Sequence, residues 1–251
     1  MSDAPNAIPA ATLVLFREGA RAPELLFVER AKAMVFAGGA LVFPGGRVDP
    51  GDRALALTLP GDPDDMAARV AAIRETIEEV GLAIGLNPAP DGERLTALRA
   101  ALHAGVSLGA ALHDAGLSLD PAPLVPFARW LPAHAHPRIF DTRFYLARLP
   151  HGAPAPVVDD TENVRVFWAT AQQVLDDADA GRVRIIFPTR RNLERLAGFA
   201  SFAEAAADAA RYPIRPVTPW TDDIDGVPHL RIPDDLGYPV TVEPVSSAMR
   251  G

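Results

Sequence analysis

The chain has 251 residues, 49% hydrophobic and 22% charged, a composition that supports a packed core and excludes disorder throughout. Its 32 acidic and 24 basic side chains leave a formal net charge of −8, which excludes a broad basic surface for nucleic acid. There is no cysteine, hence no disulfide and no thiolate metal site. No apolar run approaches the roughly 20 residues that span a bilayer, and the N-terminus lacks the basic and apolar regions of a secretory signal, so a cytoplasmic protein without membrane segments is expected.

Residues 11–17 and 24–29 predict two short strands joined by a turn containing Gly19 and Pro23, and residues 39–43 a third, ended by Pro44, Gly45 and Gly46. Residues 47–64, rich in Gly, Asp and Pro, read as a loop. A helix follows to Val80, capped by Asp64 or Asp65, ended at Gly81 and carrying Ile73, Ile77 and Val80 as its apolar stripe. Residues 92–115 predict two helices broken near Gly105 and Ser107. Strands return at 126–131, 140–148 and 164–169, and helices at 171–180, 189–198 and 201–210. Seven prolines from Pro213 to Pro244 predict an extended tail that packs on the rest. Strands and helices intermix without strict alternation, which favours a mixed sheet between helices, an α+β protein layered α/β/α, over a doubly wound parallel sheet. The expected organisation is one domain over 1–210, with a helical insertion at about 90–117, and an extended segment over 211–251.

The sharpest chemical feature is Arg74-Glu75-Thr76-Ile77-Glu78-Glu79-Val80-Gly81-Leu82. On a helix, Glu75, Glu78 and Glu79 fall within an arc of ~100°. Three carboxylates so placed repel by a few tenths of a kcal/mol per close pair, and a divalent cation reverses the sign of that cost. The alternative is a solvated acidic face with Arg74 and Glu78 paired at i, i+4. Upstream, Phe43-Pro44-Gly45-Gly46 places two glycines after a strand, where backbone can approach a metal or a phosphate closely.

Together these residues resemble the Nudix hydrolase family, whose box reads G-x5-E-x7-R-E-U-x-E-E-x-G-U, with U apolar. Arg74, Glu75, Glu78, Glu79, Gly81 and Leu82 match its second half, with Thr76 at an apolar position. The first half departs: the family's early Glu falls on Met66 and its Gly on Pro60, whereas the natural glycine is Gly46, with 27 residues between it and Arg74. The box therefore looks split by an insertion at about 50–64, and Asp49, Asp52 or Asp65 stands in for the Glu that normally braces the Arg. A split box is similar to the branch that includes peroxisomal coenzyme A diphosphatases. Phe36 to Gly46 with Val48, Asp49 and Asp52, then Trp130-Leu131-Pro132, Arg138 to Tyr145, and Phe187-Pro188-Thr189 with Asn192 and Leu193, resemble that branch.

The resemblance implies a Nudix fold and a diphosphatase that uses Mg²⁺ or Mn²⁺ to direct water at phosphorus. Glu75, Glu78, Glu79 and the Gly45 carbonyl would be metal ligands, with Glu75 first candidate for the base and Arg74 orienting the cluster. A later acidic residue often completes such a site, Glu162 first and Asp160 second; a turn cluster over 159–163 is the alternative reading. Arg47 beside Gly46, Arg138 and Arg143 are candidates for substrate phosphate, or else solvated cations. His134 and His136 read as loop residues, and Trp130, Trp168 and Trp220 as packing residues. The partner would be a small-molecule diphosphate, coenzyme A or an acyl derivative first, with ADP-ribose, NADH or a nucleotide sugar as competitors. A catalytically silent nucleotide sensor and an interaction protein with an ordinary acidic helix are the other functional classes, and a homodimer is left open.

Overall fold

The computed structural model describes residues 7–33, 37–132, 139–158 and 162–248. In chain order the elements are β1 (Ile8–Arg17), β2 (Glu24–Arg30), β3 (Ala40–Val42), β4 (Gly45–Arg47), α1 (Pro50–Ala56), α2 (Pro63–Val80), β5 (Leu86–Asn87), α3 (Gly92–His103), α4 (Leu108–Ala115) and β6 (Ser118–Leu119). They continue with β7 (Val125–Trp130), β8 (Phe140–Arg148), β9 (Asn163–Ala169), α5 (Ala171–Asp179), β10 (Arg184–Ile185), α6 (Phe187–Leu196) and α7 (Phe202–Ala209). The last are β11 (Pro216–Val217), β12 (Trp220–Ile224), β13 (Val227–Arg231), β14 (Val242–Pro244) and α8 (Val245–Ala248).

β1 is apolar at nearly every position because both of its faces are covered. Ala11, Leu13 and Leu15 pack with Ile73, Ile77 and Val80 of α2 and with leucines of α3 and α4. The alternate residues Val14 and Phe16 pack with Val174, Leu193 and Ala205 of α5, α6 and α7. The result is a mixed sheet between two helical layers, as the intermixed pattern predicts. No helix among the described residues is long and apolar enough to cross a membrane.

The sheet forks where β1 and β2 diverge. β1 runs parallel to β8 along its length, but pairs with β2 only at Phe16↔Leu25 and Arg17↔Glu24. β2 then continues against β3 and β9, while the other end of β1 takes β4 as its neighbour, Ala10↔Arg47 to Thr12↔Gly45. The glycine pair is therefore a short strand at the fork rather than the end of a turn, held by Leu13 N to Pro44 O and Val48 N to Pro9 O, both 2.9 Å. A Cβ on Gly45 would stand 2.4 Å from Ala11 O, so only glycine fits against β1.

The segment 47–64 is not a loop throughout. Pro50 at the first helical turn and Asp52, whose Oδ2 accepts the Asp49 N–H at 2.8 Å, start α1. α2 is capped by Asp62, two or three residues ahead of the predicted position, with Pro63 next, and it ends on Gly81 at φ +67°. Thr76, the polar residue on its buried face, is satisfied by Ala72 O at 2.7 Å. After α2 the chain forms the α3–α4 pair, with Ser107 capping α4, and the two-residue ladder of β5 and β6 closes its base. Beyond residue 210, β11 joins β7 in the main sheet and β12, β13 and β14 form a separate one. Ile232, Leu236 and Tyr238 enter the second core, where the Tyr238 hydroxyl meets Trp130 Nε1 at 3.1 Å. Trp220, by contrast, is 45% exposed on β12 and packs less than expected.

Ile73 is fully buried between β1 and the α3–α4 pair. Ile73→Ala should lower unfolding free energy by about 2–5 kcal/mol in urea titrations, the usual cost of a large-to-small change in a closed core.

Candidate active site

Arg74 projects from α2 into the angle between α1 and β4, where its guanidinium spends all five N–H donors. Nε and Nη2 grip Asp52 Oδ1 and Oδ2, each at 2.9 Å, and Nη2 also donates to Arg47 O at 2.8 Å. Nη1 donates to Glu75 Oε1 at 2.9 Å and to Glu78 Oε2 at 2.8 Å. Burial alone would lower the pKa of Arg74, but the carboxylates of Asp52, Glu75 and Glu78 outweigh burial and raise it. Of the three acids expected to brace Arg74, Asp52 forms the bidentate pair and is 1% exposed. Asp49 lies 3.8 Å away, and Asp65 is engaged by Arg69, Arg143 and Tyr145.

Glu75 and Glu79 stand one helical turn apart, facing the fork. Glu79 Oε2 accepts the Gly45 N–H at 3.0 Å and Oε1 accepts Asn163 Nδ2 at 3.1 Å. A Cβ on Gly46 would lie 2.2 Å from Glu75 Oε1, so the second glycine is what lets that carboxylate reach the backbone. Burial, moderated by Arg74 and reinforced by Glu78, pushes the Glu75 carboxyl up to about 7. Burial and then the charge of Glu75 push Glu79 up to about 8, against the donors Asn163 and Gly45. Burial also raises Glu78, with Arg74 opposing.

The helical insertion holds the other end of α2. Arg99 Nε and Nη2 donate to Glu78 O and Glu79 O at 2.9 and 3.1 Å, and His103 Nε2 lies 3.0 Å from Glu78 O. These carbonyls belong to the last turn, which has no intrahelical partner for them, and cations suit that end of the helix dipole. Arg99, His103 and Asn163 were not singled out in the sequence; their signal is tertiary, because they reach α2 from other elements, Arg99 and His103 from α3 and Asn163 from β9.

The remaining predicted residues are spread around this centre. Arg47 is exposed beside Gly46, with Asp49 3.9 Å away. Glu162 precedes Asn163 and is half exposed, its Oε2 3.2 Å from Arg30 Nη2. Arg143 donates to Asp65 Oδ1 at 3.1 Å, ten residues before Glu75 on α2. Asp65 accepts from Arg69 and Tyr145 as well, and these donors with Arg143 outweigh burial and keep its carboxyl below the usual range. Arg138, Asp160, His134 and His136 lie outside the described residues.

Among the described residues, no group of three or more Asp, Glu or His side chains already encloses a metal-sized position. The donor chemistry nonetheless fits a hard divalent cation. Glu75 and Glu79 are buried oxygen donors whose mutual repulsion a cation would relieve, and Glu78 adjoins them on the same helix.

Comparison with known proteins adds a relationship to this geometry. The chain is 31% identical to a Nudix hydrolase of Alicyclobacillus acidocaldarius, whose crystal structure superposes with a TM-score of 0.70 over 80% of this chain and 96% of that one. A curated relative, nudix hydrolase 7 of Caenorhabditis elegans, is 27% identical over 190 residues, 74% of this chain. The match spans 59% of that relative's length. No family model matches.

Two outcomes follow from the electrostatics. Asp52→Ala leaves Arg74 without its bidentate partner and should cost about 3–5 kcal/mol in chemical denaturation, with Asp52→Asn costing less. In metal-free buffer Glu75 and Glu79 bind protons more tightly folded than unfolded. Their stabilising contribution is therefore complete below about pH 4.5 and is lost as pH rises through about 7 and about 8. Thermal melts should show Tm falling across that window, and Glu79→Gln should flatten the fall.

Proposed function

The chain belongs to the Nudix hydrolase family, and on that premise we propose that it is a metal-dependent diphosphatase that directs water at phosphorus in a nucleoside-diphosphate-linked substrate. The observation that carries this reading is the clamped acidic cluster. Arg74 uses two donors to hold Glu75 and Glu78, while Gly45 N and Asn163 hold Glu79. Buried carboxylates gathered this closely carry an electrostatic cost that a purely structural helix has no need of.

Glu75, Glu78 and Glu79 would hold Mg²⁺ or Mn²⁺, with the Gly45 carbonyl and Glu162 as further oxygen donors beside them. When bound, such an ion neutralises phosphate oxygens and lowers the pKa of coordinated water. The chain's own contribution is positional. Arg74 and Asp52 fix the direction of Glu75 and Glu78, and the glycine strand lets the Glu75 and Glu79 carboxylates close on the backbone. Glu75 would take the proton of the water that attacks phosphorus as the anhydride P–O bond breaks. Arg47, with Arg138 and Arg143, supplies candidate cations for the phosphates.

For the leaving moiety we favour coenzyme A or an acyl derivative, on the likeness of Phe36 to Asp52 and of the later segments to the branch with the split box. The α3–α4 pair packed against the end of α2 gives that branch assignment a wall from which an acyl or pantetheine pocket can be built. ADP-ribose, NADH and nucleotide sugars are the alternatives within the same chemistry.

A panel of diphosphates, with phosphate release read after coupling to a phosphatase, tests the reading with and without Mg²⁺. Mg²⁺-dependent turnover is expected, with coenzyme A compounds leading. Glu78→Gln and Glu79→Gln should each reduce turnover by about a hundredfold or more while the fold survives in melts, the scale of losing a group that stabilises transition-state charge. Undiminished turnover in both variants overturns the site. Turnover of ADP-ribose alone overturns the coenzyme A preference and leaves the reaction class standing.

A further inference from the structure

We propose that Arg30, at the end of β2, is a phosphate-binding residue of this site, with Glu162 occupying its guanidinium while substrate is absent. The inference rests on the diphosphatase reading and adds the residue that receives the substrate's charge.

Four observations place Arg30 there. First, the pairing of β2 with β9 shifts register between Glu29 and Arg30, and Arg30 lies opposite Asn163, the residue that donates to Glu79. A bulge at a strand end re-aims the side chain that follows it. Second, residues paired across neighbouring strands project to the same face, and the Asn163 side chain reaches Glu79, so Arg30 lies on the face that carries the acidic cluster. Third, the backbone around Arg30 is pinned: its carbonyl accepts Gly39 N at 3.1 Å, and Ala31 N donates to Glu162 O at 2.8 Å. Fourth, Arg30 is mostly buried, yet its Nε has no hydrogen-bond partner, and Nη2 reaches Glu162 at 3.2 Å, a carboxylate that is 55% exposed.

Two other arginines near the centre are committed, whereas Arg47 stands exposed on β4. Arg74 has every donor engaged, and Arg143 is tied to Asp65. A guanidinium with an unused, desolvated N–H beside a half-exposed carboxylate can exchange that carboxylate for a phosphate, whose oxygens match two parallel N–H groups. Leaving a buried donor unmade is costly, and a diphosphate oxygen removes the cost only when substrate is present. Arg30 would thus bind a phosphate on the Asn163 side of Glu79.

The test uses ADP as a diphosphate probe in calorimetric titrations with Mg²⁺, beside steady-state kinetics on the best substrate of the panel. Arg30→Gln should weaken ADP binding at least tenfold and raise KM by a similar factor, with a smaller change in kcat. Arg30→Lys, which keeps the charge without the fork, should fall between wild type and Arg30→Gln, and it serves as the readout should the Gln variant melt early. ADP affinity and KM unchanged in both variants overturn the assignment, with the hydrolase reading intact if wild type turns over. A loss confined to kcat, with ADP affinity intact, also overturns it, because Arg30 would then act only through the field at Glu79. A wild-type protein that neither binds ADP nor cleaves any diphosphate overturns the diphosphatase reading and this assignment together.

Discussion

Arg74 is the joint on which the centre is built. A guanidinium donates in one plane, so two hydrogen bonds to Asp52, one to the Arg47 carbonyl and one each to Glu75 and Glu78 orient α1, β4 and α2 relative to one another. Removing it would leave Asp52 as a bare charge in the interior and let Glu75 and Glu78 turn towards water. The raised pKa values of Glu75 and Glu79 arise from the same packing, because the desolvation that strengthens the pairs also makes unpaired ionisation costly.

The segment between Gly46 and Arg74 supplies the brace of the acidic helix. Met66 stands where the family pattern has its bracing Glu, and the brace comes instead from α1 through Asp52. The shorter Asp side chain reaches Arg74 because α1 packs on α2 and because the Asp49 N–H fixes the Asp52 carboxylate at the first turn of α1.

At the far end, α3 binds the carbonyls of Glu78 and Glu79, so a helical pair that looks peripheral in sequence anchors the last turn of the acidic helix. The sheet contributes the other constraint. Because β1 and β2 separate after two paired residues, β4 must fill the gap, and only residues without a Cβ can lie between Ala11 and Glu75. Glycine here answers a steric requirement of the fork, and it leaves the Gly45 N–H facing the Glu79 carboxylate.

Much of this was legible in the residues themselves. The alternation and length of apolar runs located the layers, because burying both faces of β1 demands apolar side chains at successive positions, and the period of α2 put three glutamates on one arc. The glycine pair and the Arg-Glu helix pointed to one chemistry because few structural needs call for both. The tertiary structure alone decided which acid braces Arg74, that Gly45–Arg47 is a strand, and that Asn163, Arg99 and His103 belong around the helix. Local spacing reports periodicity within an element. Those choices depend on distances between elements far apart in the chain, and only packing sets them.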